Sequence, residues 1–143
     1  MIVLTKKEYD IEEPIQVKNE NGDLIVDYMM KITPDEKLKI RDLIFDENDV
    51  KVGRKMSKLQ REGNIDELEK LEAKSLENAK ARQEEFEKII FKDEREKIKK
   101  TAGESAYLDL VSMLLDFFVR TFAEKQASQM NTLATHLRKI SNS

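Results

Sequence analysis

Few residues in this sequence have the types and spacing that catalysis requires. The one histidine, His136, stands in "THLRK" without a serine or cysteine in a recognisable nucleophile setting, so its imidazole has nothing to activate. Carboxylate pairs such as Glu84-Glu85 and Asp93-Glu94 have the chemistry for acid and base roles. In a chain with 38% charged residues, such pairs are the ordinary content of solvated helix faces. The stretch "DENDVKVGRKMSKLQRE" opens like a calcium loop but lacks the ligand spacing and the terminal glutamate. No GxxxxGK[ST] or GxGxxG phosphate cradle occurs. Cysteine is absent, which removes thiolate catalysis, disulfides and cysteine-ligated zinc or iron–sulfur centres. The chain therefore reads as a non-enzyme with no metal and no cofactor.

What remains is apolar recognition. Turned at about 100° per residue, the segment 107–122, "YLDLVSMLLDFFVRTF", sorts its side chains sharply. Asp109, Ser112, Asp116 and Arg120 fall in a polar strip roughly 80° wide, and the remaining arc of roughly 240° is apolar apart from Thr121. A surface helix needs one apolar face, so this arc demands cover on at least two sides. Further on, Met130, Leu133, Leu137 and Ile140 follow at steps of three, four and three, a narrow single seam. The candidate partner-binding residues are Tyr107, Leu110, Leu114, Phe117 and Phe118, together with Met130, Leu133 and Leu137.

The elements that must position this helix can be read from the punctuation. The stretch "EPIQVKNENGDLIVDYMMKI" has the pattern of a β-hairpin, with Asn21-Gly22 able to supply positive φ. Leu24, Val26, Tyr28, Met30 and Ile32 share one face of its second strand. "TPDE" at 33–36 is a helix start, with Thr33 as N-cap, Pro34 at the first helical position and Glu36 closing a capping box. That helix carries Leu38, Leu43, Ile44 and Phe45 before "DENDVKVG" loosens the chain. Residues 54–91 read as a charged helical arm broken at "EGNIDE", where Gly63 closes one segment and Asn64 caps the next. A short helix then ends at Gly103, with Ser105 as cap of the long apolar helix.

The expected fold is mainly α: a helical protein with a small N-terminal β-hairpin and a long apolar C-terminal helix. It forms one domain over 1–143, divided into a hairpin region at 1–33, a first helix at 34–50, the arm at 54–91 and C-terminal helices at 92–140. At net charge −3 only "KVGRKMSKLQR" is locally basic, and it lacks aromatic interleaving. "MIVLTKKEYD" holds too short an apolar run for a signal-peptide core. A membrane-spanning role for 107–122 would place Asp109, Asp116 and Arg120 in hydrocarbon, at about 2.5 to 3.5 kcal/mol each.

Unbroken from 106 to 140, the last helix would be about 52 Å long, against a diameter of roughly 37 Å for a compact chain of this length. Either it bends around "AEKQAS" or its last third serves another chain. Leaving three large apolar side chains exposed forgoes about 1.5 to 3 kcal/mol each, a sum that approaches the whole stability of a small domain. The expectation is a protein that self-associates or docks an apolar helix of a partner.

The segment "IVDYMMKIT" leading into a helix, followed later by "FEKIIFKDEREKIKKTAGESAYLDLVSMLLDFF", resembles the order of parts in small tail assembly chaperones of long-tailed phages and prophages of Gram-positive bacteria. In that family a phenylalanine-bearing apolar patch precedes a short charged helix, a glycine-containing break and an apolar helix. The resemblance implies a chaperone, in the cytoplasm of the bacterial host, that keeps the long tape measure protein soluble while tail-tube subunits assemble. Two other readings use the same residues differently. A structural or scaffolding phage protein would build a permanent homo-oligomer through the same helix, and a helical nucleic-acid-binding regulator would read through the basic 51–63 segment.

Overall fold

The computed structural model describes the backbone of residues 1–141 and the side chains of residues 1–124. Strand β1, Ile11–Lys18, pairs antiparallel with β2, Leu24–Ile32. Ile11 stands opposite Ile32, Ile15 opposite Tyr28 and Val17 opposite Val26, so apolar residues of both strands share one face. The connecting turn is closed by Asn19, whose Oδ1 accepts from the backbone N–H groups of Asn21 at 3.0 Å and Asp23 at 2.9 Å. Gly22 supplies the positive φ, 83°, that lets the chain reverse. On the inner face Ile15, Val26, Met30 and Ile32 are buried, as the two-residue period requires.

The capping box forms as read. Thr33 Oγ1 accepts from the Glu36 N–H at 3.1 Å, and Glu36 Oε1 accepts from the Thr33 N–H at 3.0 Å. Helix α1 then runs Pro34–Ile44. Its buried residue is Ile40, whereas Leu38 and Phe45 are about half exposed. The reason is helical spacing: Glu36, Lys37, Leu43 and Ile44 lie three or four positions from Ile40 and share its side, and Leu38 does not.

Two boundaries differ from the sequence reading. "DENDV" is not loose chain, because Asp46 Oδ1 accepts from the Asn48 N–H at 2.9 Å and starts α2, Glu47–Arg61. The charged arm is therefore a helical hairpin that begins before residue 54. It turns at 62–64 through a Schellman closure: the Gly63 N–H reaches the Gln60 carbonyl at 3.2 Å and the Asn64 N–H reaches Leu59 at 3.0 Å, with Gly63 at φ 70°. Helix α3, Ile65–Phe91, returns along α2, and Asn64 makes no side-chain capping bond to it. Far from the turn, Arg82 clamps the hairpin shut. Its guanidinium donates to both carboxylate oxygens of Asp49 at 3.0 Å, and to the Leu43 carbonyl at 3.4 Å.

Helix α3 ends at Lys92, a non-glycine residue at φ 52°, which costs about 1 to 3 kcal/mol and persists only where surroundings hold it. Here Lys92 donates its N–H to the Lys88 carbonyl and its Nζ to Glu36 Oε2 at 2.8 Å. A single 3-10 turn at Lys92–Glu94 leads into α4, Arg95–Ala102. Gly103 at φ 87° closes α4 and passes the chain to α5, Glu104–Ser141. Since α5 starts at Glu104 and the Tyr107 N–H bonds to the Gly103 carbonyl at 2.9 Å, the cap position is Gly103, and Ser105 lies inside the helix.

The chain divides into two compact units, Met1–Tyr107 and Leu108–Ser143. Helix α5 runs through "AEKQAS" without a break, and an unbroken helix satisfies its backbone within itself. The molecule is mainly helical with one two-stranded antiparallel hairpin. Among the described residues no helix is long and apolar enough to cross a membrane.

Candidate partner-binding surface

The first turn of α5 is fixed inside the first unit by Tyr107. Its ring is buried 5.7 Å from that of Phe91, which in turn lies 5.9 Å from Tyr28, so three rings from β2, α3 and α5 form one stack. The Tyr107 hydroxyl donates to Glu87 Oε1, the one charged side chain that is buried among the described residues. Arg95 Nε donates to the same oxygen at 3.3 Å and Gln83 Nε2 to the other at 3.4 Å. A buried carboxylate persists only when it is paired and hydrogen-bonded, and Glu87 has three donors. Burial, then the neighbouring Glu87 carboxylate, push the Tyr107 phenol well above its usual range. Tyr28 makes the second tie: its hydroxyl donates at 2.9 Å to the Ile90 carbonyl, one of the orphan acceptors at the end of α3. These groups position a helix and are fully engaged with one another.

Beyond Tyr107, α5 carries the apolar arc. Leu110, Val111, Leu114, Phe118 and Phe122 are buried and fall within roughly 120° of helix circumference. Phe118 sits edge-on to Phe117 at 5.2 Å and tilted against Phe122 at 6.3 Å. Both edges of the arc stay open. Met113 is 68% exposed and Phe117 37% on one side, and Leu108 is 49% and Val119 40% exposed on the other. The Thr121 hydroxyl, the one interruption in the arc, donates back to the Phe117 carbonyl at 2.8 Å. The buried stripe therefore spans about half of the apolar arc.

Of the side chains expected to meet a partner, Tyr107, Leu110, Leu114 and Phe118 are buried within the chain, and Phe117 is open. This distribution has a simple cause. Tyr107, Leu110, Leu114 and Phe118 lie towards the centre of the arc, and the centre is where burial is complete. The available residues are at the edges: Met113 on the side it shares with Phe117, and Leu108 and Val119 on the other, which were not singled out. Their signal lies in the width of the arc, since residues flanking the polar strip are the last to be covered. Met130, Leu133, Leu137 and His136 lie outside the described side chains. Glu87 was also missed, although its place three and four residues before Ile90 and Phe91 puts it on their face of α3.

The basic segment forms a face rather than a cradle. Lys51, Arg54, Lys55, Lys58 and Arg61 lie within roughly 120° on α2. Between α2 and α3 runs a groove of about 520 Å³ lined by Lys51, Lys55 and Lys74, but Asp46 and Asp49 sit beside them and hold Arg82. Among the described residues no group of three or more histidine, cysteine or acidic side chains is placed to hold a metal ion. No protein-family model, curated protein or solved structure matches the chain.

Proposed function

We propose that this protein is a non-catalytic assembly chaperone that binds an apolar helical segment of another chain along α5. The observation that carries this reading is the open edge made by Met113 and Phe117, on a helix whose opposite side is already buried. An apolar helix laid along that edge would cover side chains that gain about 1.5 to 3 kcal/mol each on full burial. The charged faces of α2 and α3 would keep such a complex in solution. The resemblance of "IVDYMMKIT" and "FEKIIFKDEREKIKKTAGESAYLDLVSMLLDFF" to tail assembly chaperones supplies the client: the tape measure protein, met in the cytoplasm of the bacterial host.

Co-expression with a tape measure fragment tests the reading. The wild-type protein should move the fragment from inclusion bodies to the soluble fraction, and the double variant Met113→Asp, Phe117→Asp should not. Both side chains are open, so circular dichroism of that variant should match wild type. Phe118→Asp, at a fully buried position, should lose the fold itself. A fragment that stays insoluble with wild type, or stays soluble with the double variant, overturns the proposal. Recovery of the protein in purified virions would instead favour the scaffolding role.

A further inference from the structure

We propose that α5 pairs with α5 of a second copy of the chain, antiparallel, in a register set by Asp116 of each copy against Arg120 of the other. Asp109, Met113, Asp116, Arg120 and Ala123 follow at steps of four, three, four and three, the spacing of a helix–helix seam, and all five are exposed. Met113, Asp116, Phe117, Arg120, Thr121 and Glu124 line a shallow groove of about 360 Å³ along this side. Asp116 and Arg120 lie one turn apart, the spacing at which a helical ion pair forms. Neither makes an ion pair with the other or with another described side chain. Two opposite charges left open on one seam, four positions apart, are self-complementary under a two-fold axis.

The axis passes at the level of residue 118. Asp116 then faces Arg120 of the second copy, and symmetry repeats the contact, so one interface gains two ion pairs. The same register sets the long Met113 side chain against the small Ala123, which leaves room for it, and Ser112 against Glu124. A parallel arrangement would set Asp116 against Asp116 and Arg120 against Arg120, and like charges exclude it. Charged residues placed along a helix–helix interface set partner orientation and register in this way. The pairing shares the Met113 and Phe117 edge with the client reading above and rests on that reading only for its use: the self-paired form would keep the edge covered until a client displaces the second copy.

The test uses the full chain without a client. Sedimentation equilibrium should give a dimer for wild type. Asp116→Arg alone and Arg120→Asp alone should each weaken it by about tenfold or more. An equal mixture of the two single variants should recover the dimer, because one copy then carries two cations and the other two anions at the paired positions. The double swap Asp116→Arg, Arg120→Asp should recover it as well. Cysteine is absent, so a mixture of Met113→Cys and Ala123→Cys chains should form a disulfide between the two under mild oxidation. A monomeric wild type, single reversals without effect, or Met113→Cys linking to itself in place of Ala123→Cys overturns the proposal. Lost self-pairing would leave client solubilisation standing, and failed solubilisation would leave the pairing standing, so the two results are separable.

Discussion

The two halves of α3 are one continuous helix with opposite surroundings. Its N-terminal half runs beside α2, holds no buried residue, and leaves Ile65 and Leu76 more than half exposed. Its C-terminal half buries Phe86, Glu87, Ile90 and Phe91. Charge is plentiful along the whole helix, with ion pairs such as Glu67–Lys70 at 3.7 Å and Glu84–Lys88 at 3.3 Å. Exposed pairs of that kind contribute about 0.2 to 1 kcal/mol at most. The difference between the halves is therefore a difference in tertiary contact. One half keeps a hairpin in solution, and the other forms the seat on which α5 begins.

The strongest way to break the contrast is Phe91→Ala. This removes a fully buried ring from between Tyr28 and Tyr107 and should lower unfolding stability in urea by about 3 to 5 kcal/mol. A loss below about 1 kcal/mol would mean the ring stack is not the core of this half.

Tyr107→Phe comes next. It keeps the ring and takes one donor from buried Glu87, at about 1 to 3 kcal/mol. It also has a pH signature. Because the folded phenol titrates above its ordinary 10.0, the unfolded chain releases that proton first. Stability from Tyr107 is complete below pH 10.0 and falls as pH rises past it. The variant should show a shallower alkaline decline, with a remainder from Tyr28, which burial, then Glu94 and Glu36, shift in the same direction.

Thr33→Ala sharpens the boundary between α1 and the end of α3, and should cost about 0.5 to 2 kcal/mol through the lost cap. Its partner Glu36 gives the opposite pH dependence. Burial works against its carboxylate, but the Lys92 hydrogen bond, the Thr33 backbone bond and the Lys92 charge together hold it below the ordinary 4.5. Its contribution is complete above pH 4.5 and lost as pH falls through the lower folded value. The stability gap between wild type and Glu36→Gln should therefore close in acid.

The smallest effect belongs to the other half of α3. Leu76→Ala should stay within about 0.5 kcal/mol. A loss several times larger would show that the α2 and α3 hairpin has cover at Leu76 that the single chain does not provide.

The start of α1 was legible because a capping box is made by four consecutive residues. The reversals at Gly22, Gly63 and Gly103 were legible because positive φ favours glycine. The start of α2 was not: "DEND" serves equally as a loop or as an N-cap, and only the Asp46 bond decides between them. The open side at Phe117 and Met113 was recognised, but the opposite edge at Leu108 and Val119 was not, since periodicity marks a wide apolar arc without saying which part of it will be covered.

By itself, then, the sequence determined what neighbours within about four residues can settle: the caps, the reversals, the strand faces and the excess apolar width of α5. Tertiary structure decided the rest, namely which half of α3 is buried, that Glu87 meets Tyr107 from 20 residues away, and that Tyr28 closes the end of α3 from 62 residues away. Local turns depend on backbone geometry and nearby donors, whereas burial depends on which distant surfaces arrive at the same place.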